Sequence, residues 1–106
     1  MQIQQSLLDR VVDTLVRLAH PDRIIVFGSA ATGEASAESD LDILVLESEP
    51  GNPRTESIRL RRALGFVPMP VDLIVMPTRR FEETKDVIGG LAFPANKYGR
   101  VVYDAA

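Results

Sequence analysis

The sequence predicts a small α/β (α+β) domain built on a mixed sheet, and three observations predict it. An amphipathic stretch at the N-terminus repeats its apolar residues at helical spacing. Three short apolar runs, each containing a four-residue core such as Ile24-Ile25-Val26-Phe27, stand apart between turn-rich stretches. A charged, helix-patterned segment separates the second run from the third, so strands alternate with helices rather than following one another as hairpins.

The elements follow in order. Ile3, Leu7, Leu8, Val11, Val12, Leu15 and Leu18 form a stripe that predicts a helix over residues 3–18 with this stripe in the core. His20-Pro21 marks its end, because the residue before a proline is biased away from helical backbone. Residues 23–27 read as a buried strand, and 41–46, Leu-Asp-Ile-Leu-Val-Leu, as a second. Pro50-Gly51-Asn52-Pro53 is a surface loop, and 54–64 a helix with Ile58, Leu60, Ala63 and Leu64 turned partly inward, its arginines on a solvated face, and Gly65 as its stop. A third strand over 71–76 lies between Pro70 and Pro77. A last helix starts near Thr78 with Phe81 inward and Glu82-Glu83 outward, after which Gly89-Gly90 and Pro94 break up the chain before the short apolar 101–103.

Composition excludes several classes. At 106 residues the chain is read as one domain, 1–106, able to bury a core without disulfides. The chain contains no cysteine, which removes thiolate zinc sites and agrees with a reducing, cytoplasmic setting. Polar Gln2, Gln4, Gln5 and Asp9 interrupt the N-terminus, and no apolar run approaches a membrane span, so neither an export signal nor a membrane segment is expected. A net charge of -3 argues against direct nucleic-acid binding as the main role.

Carboxylates carry the chemistry. Asp is disfavoured in strands, yet Asp42 lies inside the second apolar run and Asp72 inside the third. Asp40 and Asp42 stand at i and i+2, so in a strand they share a face about 6.6 Å apart. At an effective dielectric near 20 such charges repel by about 2.5 kcal/mol, a penalty that a shared cation reverses. Oxygen-only donors of this kind suit Mg²⁺. The first strand runs directly into Gly28-Ser29, where glycine permits close approach of backbone to a ligand, and the Ser29 hydroxyl with free N–H groups of a following turn can cradle phosphate. Gly33 suits a position with positive φ where that turn ends.

Gly28-Ser29, ten residues, then Asp40-Leu41-Asp42 and a later Asp72 resembles the minimal nucleotidyltransferases of the polymerase-β superfamily, the MNT domains. The likeness extends to the leading helix, His20-Pro21-Asp22-Arg23, and the ending Gly99-Arg100-Val101-Val102-Tyr103. The resemblance implies a small mixed sheet with helices packed on one face, two Mg²⁺ ions ligated by Asp40, Asp42 and Asp72, and β- and γ-phosphates held at Gly28 and Ser29. Asp72 would also help deprotonate the acceptor hydroxyl. ATP is the implied donor, and a HEPN-type RNase toxin, AMPylated on a tyrosine, the implied partner of an antitoxin of this size. One residue departs from the family pattern: Thr32 stands where an arginine is usual, and threonine cannot neutralise phosphate charge. Arg54, Arg59, Arg61, Arg62, Arg79 and Arg80 are candidate substitutes.

Plainer readings apply to several residues. His20 has no second histidine for a metal pair and is read as structural. Tyr98 and Tyr103 are read as packing, and Ser29 as a phosphate contact rather than a nucleophile, because no base stands in a recognisable relation to it. Two other functions stay open: an antitoxin that acts by binding alone, and a transferase acting on a small hydroxylated molecule presented by another subunit. The oligomeric state is also open.

Overall fold

The structure, a computed structural model, describes residues 5–27, 41–90 and 92–105. Helix α1 (Gln5–Ala19) buries Leu8, Val11 and Leu15 and half-buries Leu7 and Val12, as the apolar spacing predicts; Val16, which the stripe did not include, is also half-buried, and Ile3 lies outside the described residues. Leu18 departs from the stripe: at 42 % exposure in the last turn it lies outside the core. His20 ends the helix in the left-handed region at φ 46°, its N–H donating to the Val16 carbonyl at 3.0 Å, so the structural reading of this histidine accounts for its position.

Strands β1 (Arg23–Phe27), β2 (Leu41–Glu47), β3 (Val71–Pro77) and β4 (Arg100–Asp104) form one sheet in the order β3-β2-β1-β4. β1 runs antiparallel to both β2 and β4, whereas β2 and β3 are parallel. A parallel pair requires a crossover, which α2 (Pro53–Ala63) supplies. Asn52 caps α2 by accepting the Thr55 N–H at 3.1 Å, with Pro53 in the first turn, where no N–H is needed. Leu60 and Leu64 are buried, but Ile58 is 47 % exposed, contrary to its expected inward position. Two residues from Leu60, it is rotated by about 200° and faces away. The arginines of α2 are exposed, as expected. The helix stops at Ala63 with Leu64 as its cap, so Gly65 is not needed as a left-handed terminator.

Helix α3 (Thr78–Thr84) follows β3 directly and buries Phe81 while Glu82 and Glu83 face outward. Residues 92–98, read from sequence as a broken stretch, form α4 (Ala92–Tyr98). Pro94 lies in its first turn, where a missing N–H costs no intrahelical bond.

Helices cover both faces of the sheet, which corrects the expectation of one. Ile24, Val26, Leu41, Ile43, Val45, Leu73 and Val75 pack under α1 and α2, whereas Ile25, Leu44, Leu46 and Met76 pack under Phe81, Ala92 and Ala95 of α3 and α4. The continuous apolar run of β2 explains why, because a strand without polar alternation must be buried on both sides. The β3 edge is also covered: the Val75 N–H donates to Ser57 Oγ of α2 at 2.9 Å, and Pro77 has no N–H to expose. No helix among the described residues is long and apolar enough to cross a membrane.

A polar clasp closes the sheet end formed by Arg23, Glu47 and Pro77. Asp22 accepts the Ser48 hydroxyl at 2.6 Å, just past β2, and the Thr78 hydroxyl, just past β3. These two hydrogen bonds hold its carboxyl below the usual carboxylate range. Arg23 lies 3.6 Å from Glu82 and 3.7 Å from Asp104. Beside them Glu47 is only 7 % exposed, with Oε2 buried and lacking a partner. Burial, then its hydrogen bond and charge repulsion with Glu56, pushes Glu47 up to about 7, while Arg59 holds Glu56 down.

Two outcomes follow from this packing. A Cβ on Gly99 would run into the Ala95 carbonyl oxygen and lie 2.5 Å from Ile25 Cγ2, so Gly99→Ala is expected to lower stability by about 1–3 kcal/mol in urea denaturation. Because the Glu47 carboxyl titrates higher folded than unfolded, its protonation stabilises the fold fully below about pH 4.5, and that contribution is lost as pH rises through about 7. Glu47→Gln should therefore flatten the fall in urea midpoint between pH 5 and pH 8; an unchanged fall would place the titrating group elsewhere.

Candidate active site

The sheet end opposite the clasp joins the C-terminus of β1 to the N-termini of β2 and β3. The Leu41 N–H donates to the Pro70 carbonyl at 2.8 Å and fixes where the parallel ladder begins. One residue further on, Asp42 and Asp72 are register partners. Paired residues on neighbouring strands point to the same side, so the two aspartates project together at a lateral strand spacing of about 4.8 Å. Alternation sets which side: Ile43 and Leu73 go under α1 and α2, and Asp42 and Asp72 therefore take the face that also carries α3 and α4. Asp42 is half-buried and Asp72 exposed.

Phe27, the last residue of β1, is the antiparallel partner of Asp42. Phe27 and Ile74 are half-buried against the apolar cluster of this face. The result is a strip in which two carboxylates stand beside an apolar floor that the short helices leave partly open. From Phe27 the chain continues into Gly28 and Ser29, which, with Thr32, Gly33 and Asp40, lie outside the described residues.

Adjacent carboxylates at strand ends are hard oxygen donors, and they fit a divalent ion of the Mg²⁺ type better than they fit each other. Among the described residues no three His, Cys, Asp or Glu side chains cluster for a metal; Asp42 and Asp72 make two.

None of the arginines singled out from sequence accompanies them. Arg54, Arg59, Arg61 and Arg62 ride on α2, which packs on the other face, and Arg59 is held by Glu56 at 2.7 Å and by the Leu18 carbonyl at 3.1 Å. Arg79 and Arg80 open α3, which starts at the clasp end. Lys97, which sequence reasoning passed over, belongs to the last turn of α4 on the carboxylate face. Its place depends on α4 and on where β4 begins, and neither leaves a local signal. Tyr98 is 60 % exposed, against its expected packing role, because it is the final residue of that helix, while Tyr103 packs as expected. A groove of about 390 Å³ between α1 and β4, lined by Leu8, Val12, Val16 and Tyr103, lies on the side away from the aspartates.

A family model described as a nucleotidyltransferase domain matches residues 8–91. No match was found among curated protein sequences. Among solved structures, the crystal structure of a Sulfolobus solfataricus protein proposed to be a nucleotidyltransferase is similar, with a TM-score of 0.59 at 16 % identity over 94 % of this chain and 79 % of that one. At that identity the likeness shows a common fold.

Removing one of two like charges should not cost the fold. Asp72→Asn is expected to leave metal-free stability unchanged or raise it by up to about 1 kcal/mol. Millimolar Mg²⁺ is expected to raise the Tm of the wild type and to raise that of Asp72→Asn less; an equal rise in both would show that Asp72 binds no metal.

Proposed function

The chain belongs to the nucleotidyltransferase domain family, and from that premise we propose that it transfers AMP from MgATP to a tyrosine of a small helical HEPN-type toxin, acting as that toxin's cytoplasmic antitoxin. The observation that carries the reading is the register of Asp42 with Asp72 across parallel strands, which sets two carboxylates side by side at the exit of β1. Like charges directly opposite destabilise a sheet, and a cation shared between them would relieve the pair.

In this reading Asp40, Asp42 and Asp72 would hold two Mg²⁺ ions, which would supply charge stabilisation at the α-phosphate and make the acceptor hydroxyl easier to deprotonate. Gly28 and Ser29 bind the β- and γ-phosphates through backbone and hydroxyl donors. Asp72, the exposed member on the edge strand, takes the proton of the acceptor tyrosine. The phenolic oxygen then forms a bond to the α-phosphorus, the bond to the β-phosphate oxygen breaks, and pyrophosphate leaves. The half-open strip of Phe27 and Ile74 beside the carboxylates leaves room for an acceptor presented by a second protein. Retention of Asp42 and Asp72 in strand interiors favours catalysis over masking of the toxin by binding alone.

Intact-mass analysis of the protein encoded beside this one, after incubation with this chain, Mg²⁺ and ATP, tests the reading. A gain of one or more AMP units is expected, with the rate reduced by at least about 100-fold in Asp42→Asn. A stable complex without a mass gain would overturn the transfer step.

A further inference from the structure

A nucleoside triphosphate brings several negative charges to a site already built from carboxylates, so beyond bound metal ions it calls for a protein cation directed at the phosphates. The segment Gly28-Ser29-Ala30-Ala31-Thr32-Gly33 contains none. Resting on the nucleotidyl-transfer reading above, we propose that Lys97 is that cation and binds the β- and γ-phosphates of the donor nucleotide.

Topology brings it there. Helix α4 lies on the carboxylate face through Ala92 and Ala95, and Gly99 hands the chain to Arg100, the register partner of Val26. The next residue of β1 is Phe27, the partner of Asp42, after which the chain runs into Gly28-Ser29. The last turn of α4 therefore ends at the same end of the sheet, and on the same face, as Asp42 and Asp72.

Position and pairing set the other cations aside. Arg17, Arg23, Arg59, Arg79 and Lys85 each lie within ion-pair distance of a carboxylate on α1, α2, α3 or β4. Arg10 stacks on Phe66, 3.9 Å from the ring centroid. The remaining arginines of α2 belong to the opposite face, Arg80 to the clasp end, and Arg100 lines the groove beside α1.

Lys97 is exposed, and among the described residues no carboxylate pairs with it. Its ammonium lies 5.5 Å from the Tyr98 ring centroid and 5.7 Å from that of Phe93. Two aromatic faces orient an ammonium without neutralising it, which leaves the full charge for an anion. A compact ammonium on a flexible stem meets phosphate as a point charge and needs no fixed bidentate geometry.

Calorimetric titration of wild type, Lys97→Ala, Lys97→Arg, Arg100→Ala and Asp42→Asn with MgATP and with AMP tests the assignment. Lys97→Ala is expected to weaken MgATP binding about tenfold while changing AMP binding less than about twofold, because AMP lacks the phosphates in question. Lys97→Arg should recover most of the loss, and Arg100→Ala should bind as wild type. MgATP affinity unchanged in Lys97→Ala, or an equal loss for AMP and MgATP, overturns the role of Lys97 while leaving nucleotidyl transfer standing if Asp42→Asn abolishes binding. A wild-type protein that binds no MgATP overturns both.

Discussion

Parallel pairing of β2 with β3 cannot be made by a tight turn; it needs a crossover, and that crossover is α2. From this requirement the rest of the molecule follows. The crossover helix must lie on one face of the sheet, where it joins α1, so the apolar residues of the other face need separate cover from α3 and α4. The same parallel register makes both strands start at one end of the sheet, and it is there that Asp42 and Asp72 meet as partners. An antiparallel pairing of these strands would have placed the two aspartates at opposite ends.

The two ends of the sheet carry opposite kinds of electrostatics. At the clasp, Asp22 is satisfied by two hydroxyls and Arg23 by two carboxylates, drawn from the segments that follow β2 and β3 and from the end of β4. Charges there are compensated, and they tie together the chain segments that a slip in register would separate. At the other end Asp42 and Asp72 set like charges side by side, an arrangement that favours a cation between them. Glu47 is an exception to the tidy end: its buried, unpartnered Oε2 beside Glu56 makes part of the clasp depend on a proton.

Much of this was legible in the amino-acid sequence, for reasons that differ by element. β1, β2 and β3 announce themselves because β-branched and aliphatic residues run without interruption, the pattern of strands buried on both faces. Such a pattern calls for cover on both sides, but the expectation followed the family resemblance, which implied one. Asp42 and Asp72 stood out because carboxylates are disfavoured in such runs. What stayed hidden depends on contacts distant in sequence: that the two aspartates are register partners, that α4 forms despite Pro94, and that the helix ends beside β1. Ile58 and Leu18 show the local limit of apolar patterning: Ile58 stands two residues from buried Leu60 and so on the far side of α2, and Leu18 lies in the last turn of α1, beyond the core.

Because the clasp lies at the end remote from the aspartates, the sheet is pinned at both ends, by Asp22 and Arg23 at one and by the Leu41 N–H on the Pro70 carbonyl at the other. A slip of β3 along β2 would therefore have to break contacts at both ends before it moved Asp72 out of step with Asp42. The clasp thus guards the spacing of the two carboxylates from the far end of the strands that carry them.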